Sequence, residues 1–329
     1  MFPQSQLSPL RAIEVARVAD LLIRKSLAVK PGEQVLVVMD SESDLLISTA
    51  LASAARVAGA EPTIAIMGRQ PKMGSTKVID EAVKGADVVI GVTKLSIAHS
   101  KTIHKALLTD KSIRYLSLLG VTHDTFTRDG ANVDPDELYE ITERVVRAVN
   151  SAKRIRVTSA LGMDLSGSLE GMVSKNSGGY ARNPGDLMCF PDGEAWQGPT
   201  EGTAEGIVVI DKTVTLIGAL SEPITFEVSK GKIVKVDGGK DAAKLRSIMQ
   251  GVENIDNIAE IAIGTNPMAK FCGEIMVDKH VGGGVHIGFG DNIAYGGTTR
   301  CALHLDGVVS NPTVYLDDKV VVDNGRIVV

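Results

Sequence analysis

The sequence predicts an α/β fold in its first half and an α+β fold rich in antiparallel strands in its second. Three observations predict it. Before residue 152 a β-then-α alternation repeats. After Lys153 the chain turns to short alternating runs broken by Gly, Asp and Asn. At 329 residues it also exceeds the usual limit of a single hydrophobic core, which points to two domains, 1–152 and 153–329.

The elements follow in order. An amphipathic helix occupies the N-terminal MFPQSQLSPLRAIEVARVADLLIRKS, which lacks the apolar stretch and small-residue cleavage site of a signal peptide. GEQVLVVMD, residues 32–40, is a β-branched strand. The Ala-rich LLISTALASAARVAG that follows is a helix stopped by Gly59, with Asp40, Ser41 and Glu42 expected to cap it. EPTIAIM precedes a helix near 75–84, ADVVIGVT one near 99–109, and SIRYLSLL is followed later by the helical DPDELYEITERVVRAVNSA. Apolar strands alternating with helices imply a doubly wound, mostly parallel sheet covered on both faces. In the second half RIRVTSALGMDLSGSL, GIVVIDKTVTLIGAL, EPITFEVSKGKIVKVDGG and TVYLDDKVVVDNGRIVV read as strands, with hairpins at KGK and DNG. DAAKLRSIMQGV reads as a helix.

Composition narrows the function. Hydrophobic residues at 44% describe a globular chain, and a net charge of −5 without a Lys/Arg cluster argues against a nucleic-acid partner. No run is apolar and long enough to span a bilayer. Three cysteines without CxxC spacing indicate neither a disulfide framework nor a zinc knuckle. A cytoplasmic protein acting on a small peptide or other small molecule is the expectation.

Chemistry concentrates in the second half. In RCALHLDGVV, strand periodicity puts His304 and Asp306 on one face and Leu303 and Leu305 on the other, so two metal-type ligands project together, as they would also on a plain exposed polar face. In GGGVHIGFG, Gly284, His286 and Gly288 share a face with room around the ring; the run lacks the spacing and following helix of a dinucleotide site. Glu260 interrupts the apolar IAEIAIGTNP, where a carboxylate is costly unless a cation compensates it, and Glu194 follows a turn in CFPDGEAWQGP. His280 reads as a neighbouring polar residue, Trp196 as pocket wall or core, and His99, His104 and His123 as solvated or capping side chains.

Taken in order, FPDGEAWQGPTEGTAEGIVVID, NIAEIAIGTNP, VHIGFG and ALHLDGVV resemble the thermophilic-type leucyl aminopeptidase family, typified by aminopeptidase T and aminopeptidase S. The resemblance implies one or two divalent ions, Zn, Co, Mn or Fe. Glu194, Glu260 and His286 would hold one, with Glu260 bridging to a second held by His304 and Asp306. It also implies a homodimer that hydrolyses N-terminal peptide bonds through a metal-activated water, with Glu194 and Glu260 as the catalytic carboxylates. The chain departs from that family at Gly193-Glu194, where two glutamates are usual, at Lys279 after Asp278, and at Ile293, where a Tyr is usual although Tyr295 is close. The dihydroxypyridine ring-cleaving dioxygenases look like distant relatives. They keep HLD and YLDD but place a His where this chain has Glu260, which implies a two-His, one-carboxylate iron site. With Glu260, Glu194 and His286 present, hydrolysis is the expected activity; ring cleavage by a mononuclear iron centre and a homologue without turnover are the alternatives.

Overall fold

Along the strand Gln34–Asp40 of the computed structural model, successive side chains enter two different cores: Val35, Val37 and Met39 join one, Leu36 and Val38 the other. That is the period of two of a strand buried on both faces. The structure describes residues 9–98 and 100–329, so the readings of MFPQSQLS and of His99 lie outside it. The described residues fall into two units, one running to Asp136 and including Gly179–Asp192, the other comprising Glu137–Gly178 and Gly193–Val329. The expected division after residue 152 therefore sits within the second unit. The helix Pro135–Asn150 contributes Val145, Val146 and Val149 to that unit's core, while Leu187–Cys189 returns to the sheet of the first.

The first unit is built on a five-stranded parallel sheet in the order Glu61–Met67, Gln34–Asp40, Val88–Val92, Arg114–Ser117, Leu187–Cys189. The helices Pro9–Leu21 and Leu45–Val57 cover one face through Val15, Val18, Ile47 and Leu51. Lys77–Val83 and Lys101–His104 cover the other through Ile79, Val83 and Ile103. The expected cap at Asp40 is corrected: Asp44 caps the helix Leu45–Val57 by accepting from the Leu46 amide. Asp40 accepts instead from the amides of Glu42 (3.0 Å) and Lys94 (2.6 Å) and from the Ser43 hydroxyl (2.8 Å), tying two strand ends together. His104 is exposed, whereas His123 is buried at the start of the helix His123–Thr127, whose cap is Thr122.

The second unit contains two antiparallel sheets. Eight strands run in the order Lys232–Asp237, Ile224–Ser229, Glu205–Ile210, Asp164–Ser168, Arg154–Thr158, Thr313–Leu316, Lys319–Asp323, Arg326–Ile327. Seven more run Gly218–Ala219, Thr213–Val214, His304–Val309, Val285–Gly290, Ile258–Gly264, Glu194–Gln197, Lys175–Ser177. The KGK and DNG hairpins form as read. Lys230-Gly231 and Asn324-Gly325 are two-residue turns with both φ angles positive, the conformation whose twist matches the flanking strands. The helix Lys240–Met249 adds Ala242 and Leu245 to the core. Among the described residues no helix is long and apolar enough to cross a membrane.

Candidate metal centre

The seven-stranded sheet divides its side chains by strand parity. Ile261, Ile263, Val285, Ile287, Phe289, Leu305 and Val309 enter the apolar core together with Ala195. The alternate positions face the other way, and the register brings them into line: Gly288 pairs with Glu260 on one side and with Asp306 on the other, and Glu194 pairs with Gly264. All five residues singled out in the sequence, Glu194, Glu260, His286, His304 and Asp306, meet on this face.

The distances are short. His304 Nε2 lies 3.0 Å from Asp306 Oδ1 and 3.2 Å from Glu260 Oε2, and one ligand atom from each of these three residues falls within 4.8 Å of the others. His286 Nε2 stands 3.5 Å from Glu260 Oε1 and 3.7 Å from Glu194 Oε2. Gly288 is what lets them approach, since a Cβ there would lie 2.8 Å from both Glu260 Cβ and His304 Nε2. The open space expected around the His286 ring is corrected: the ring is fully buried, and side chains of the neighbouring strands fill the room its flanking glycines leave.

The imidazole of His304 carries the main chemical clue. Its Nδ1 lies 2.7 Å from the Asp291 carbonyl, which has only lone pairs to offer, so Nδ1 carries the hydrogen. In the neutral ring Nε2 is then a bare lone pair aimed at two carboxylate oxygens. That arrangement is repulsive unless a proton or a metal ion sits between them. His280 repeats the pattern: its Nδ1 is 2.8 Å from the Met276 carbonyl and its Nε2 faces Glu194 Oε2 at 3.4 Å. The buried atoms Glu194 Oε2, Glu260 Oε1, His280 Nε2, both ring nitrogens of His286 and Asp306 Oδ1 have no hydrogen-bond partner. Several buried polar atoms left unpaired around one point call for a cation.

The charges respond accordingly. Burial pushes Glu260 up, but the charge of His286 and the hydrogen bond of His304 outweigh it and hold the carboxyl below its ordinary range. Burial likewise opposes, and Lys279, His304 and His286 together overcome, the ionisation cost of Asp306, which stays far below the carboxylate range. Glu194 is held down in the same way by Lys279, His280 and His286 against its burial. For His304 burial favours the neutral ring, yet Asp306 and Glu260 raise its pKa well above that of free imidazole; His286 is raised by Glu260 and Glu194. These rings bind a proton tightly, and the same field favours a metal cation.

Three residues that the sequence reading names without giving them a place at the centre join it there. Lys279 Nζ lies 3.3 Å from Glu194 Oε2 and 3.9 Å from Asp306 Oδ2. Tyr295 stacks on His304, with ring centroids 4.6 Å apart and planes 13° from parallel, and Trp196 meets Tyr295 edge-on at 5.1 Å. Burial and then the charges of Glu260, Asp306 and Glu194 push the Tyr295 phenol well up. His280 sits against Glu194. Trp196 is therefore linked to the centre through Tyr295, its own side chain only partly buried. Gly193, at φ +124°, occupies backbone that a glutamate side chain would strain, and its Cβ would lie 2.9 Å from Leu138 Cδ1, which accounts for the single acid at this turn.

A parallel-sheet unit and an antiparallel unit whose strand face gathers carboxylates and imidazoles around one point define a protein of a two-unit α/β and α+β class with a candidate metal centre. Residues 23–329 match the NicX family model, described as 2,5-dihydroxypyridine 5,6-dioxygenase, and the chain belongs to that family. It is 30% identical over 194 residues to a 2,5-dihydroxypyridine 5,6-dioxygenase of Pseudomonas putida, a stretch covering 55% of each chain. The match thus spans about half the length of that curated relative. Among solved structures, 2,5-dihydroxypyridine dioxygenase from Pseudomonas putida superposes with a TM-score of 0.83 at 23% identity, covering 96% of this chain and 97% of that one. AmpT from Thermus thermophilus superposes with a TM-score of 0.73 at 17% identity, covering 96% and 99%. Both show the shared fold. The aminopeptidase family expected from the sequence is therefore corrected, and with it the reading as a peptidase and hydrolase. The segments that carried the resemblance belong to a fold both groups share, and Glu260, Glu194 and His286, which together tilted the reading to hydrolysis, do not separate them.

Proposed function

We propose that this chain is a ring-cleaving dioxygenase that opens a dihydroxypyridine with dioxygen at one Fe²⁺ held by Glu260, His304 and Asp306. The family match over residues 23–329 supports the reaction class. The observation that carries the centre is His304, whose carbonyl-bound Nδ1 leaves Nε2 facing Glu260 and Asp306 at 3.2 and 3.0 Å. Two carboxylates and one imidazole form a harder donor set than two imidazoles and one carboxylate, and they suit Fe²⁺ or Mn²⁺ better than a soft-preferring ion.

Bound Fe²⁺ would supply the open-shell Lewis acid that lets a closed-shell ring react with triplet dioxygen. Both oxygen atoms enter the product as one ring bond breaks. The four electrons that dioxygen takes up come from the ring, so no external reductant is needed. The chain's own residues prepare the place. His286, fully buried between Glu260 and Glu194, holds both carboxylates, and Asp291 fixes the tautomer of His304. Tyr295 and Trp196 wall the centre with aromatic surface suited to a flat heterocycle. Glu194 stays ionised beside Lys279, which makes it a weak base, so its part is to hold the lysine and the histidines rather than to take a proton from substrate.

The test is oxygen uptake by the Fe²⁺-loaded protein with 2,5-dihydroxypyridine, followed together with loss of the ring's ultraviolet absorbance. Uptake of one dioxygen per ring opened is the expected result; no uptake, with release of chromophore from an aminoacyl anilide, would overturn it. A homodimer is part of the proposal by resemblance to enzymes of this fold, and light scattering tests it.

A further inference from the structure

We propose that Lys279 limits this centre to a single divalent ion, by placing an ammonium where two buried carboxylates would otherwise chelate a second cation. The inference rests on the metal-centre reading above and is independent of the substrate.

Asp306 has two sides. Its Oδ1 faces His304 Nε2 at 3.0 Å, within the three-residue group, while its Oδ2 turns to Lys279 Nζ at 3.9 Å. The same ammonium lies 3.3 Å from Glu194 Oε2 and 3.4 Å from Oε1. Glu194 and Asp306 would be natural ligands for a second ion, and the lysine nitrogen stands between them. Its side chain is only 10% exposed, so water screens this charge little.

The charge count agrees. Glu194, Glu260 and Asp306 contribute three negative charges, Lys279 one positive charge, and His280, His286 and His304 none when neutral. One divalent ion brings the buried group to zero. A second would leave an uncompensated double positive charge beside a fixed ammonium, an arrangement that a poorly hydrated interior disfavours strongly.

The ammonium is also anchored. Lys279 directly follows the short helix Ile275–Asp278, and its amide bonds the Ile275 carbonyl. Asp278 is buried and accepts from the Cys272 amide at 2.7 Å and the Gly273 amide at 3.1 Å, as well as from the Thr213 hydroxyl. Thr213 lies on the strand Thr213–Val214, which pairs with the strand bearing His304 and Asp306. The lysine is thereby tied to the sheet that carries the carboxylates it meets.

Counting ions tests this directly. The full chain, stripped with chelator, is dialysed against Mn²⁺ and its metal measured by plasma emission, with no substrate present. The expected ratios are one ion per chain for the wild type and for Lys279→Arg, which keeps the cation, and two for Lys279→Met. A second ion in the wild type or in Lys279→Arg overturns the proposal, as does a single ion in folded Lys279→Met. Lys279→Gln, which also removes the cation but keeps a polar side chain, is expected to take up two ions, and a single ion there overturns the proposal even if Lys279→Met does not fold. His304→Ala separates the two levels: an unchanged ion content there would sink the centre itself, whereas two ions in the wild type with loss in His304→Ala would sink only the role of Lys279.

Discussion

Asp40 in the first unit and Glu260 in the second are both carboxylates buried to within 2% of complete, at sheet positions where an acid is costly. Asp40 is fully answered: two amides and a hydroxyl point at it within 3.0 Å. Glu260 is not, because its Oε1 has no hydrogen-bond partner and its other oxygen faces a ring nitrogen that is bare in neutral His304. Burial of an acid therefore says little by itself. What separates a structural carboxylate from a metal-binding one is whether the fold supplies its donors or leaves them to a cation.

The comparison can be broken by exchanging the consequences of mutation. His304→Ala should lower metal affinity by more than about 100-fold, beyond the roughly 10- to 100-fold cost of losing an outer-shell partner, with little change in melting temperature of the metal-free protein. Dialysis against Mn²⁺ and calorimetry check both halves. Asp40→Ala should do the reverse. It removes the charged acceptor of two part-buried amides and a hydroxyl, so stability should fall by about 1–3 kcal/mol in a denaturant titration, while metal affinity stays as in the wild type. Reduced metal binding there would erase the distinction between the two acids.

A smaller effect sharpens the centre's geometry. At Gly288 a methyl group would press on Glu260 and His304, so Gly288→Ala should weaken metal binding by about tenfold, in the range of outer-shell changes, without removing any ligand. The smallest effect concerns the loop that carries Tyr295. Glu201 accepts from the Asn292 side chain and from the amides and hydroxyls of Thr298 and Thr299, and these bonds hold its carboxyl down to about 2. Because the folded pKa is depressed, this contribution is fully present above the ordinary carboxylate pKa and fades as pH falls from about 4.5 toward 2. Trp196 fluorescence, sensitive to Tyr295 beside it, should change across that window in the wild type and lose that part of its change in Glu201→Gln.

Much of this is legible in the amino-acid sequence itself. Period-two runs and Gly-containing turns marked the strands and hairpins of the second unit, and Glu194, Glu260, His286, His304 and Asp306 were all recognisable as ligand types on strands or beside turns. Lys279 was noticed only as a departure from a family pattern, because its meaning lies in contact with Glu194, 85 positions away, and no local periodicity records such a pairing. Tyr295 and His280 are legible only as neighbours for the same reason: one lies in a loop, the other behind a short helix, and both matter through the rings and carboxylates they meet. The edge strand Leu187–Cys189 was missed because three residues carry too little pattern to be seen. The choice between hydrolysis and ring cleavage rested on Glu260 with Glu194 and His286, and three side chains within segments that both groups share were too thin a basis.

Strand parity across Ile258–Gly264, Val285–Gly290 and His304–Val309 has a consequence for how such a protein can change over generations. A substitution at position 260, 286 or 306 exchanges one donor for another and leaves the scaffold standing. A single inserted or deleted residue within any of these strands would turn its donors into the oily interior and its isoleucines or leucine outward. Lineages built on this sheet are therefore free to vary the identity of their ligands while the spacing between them stays frozen.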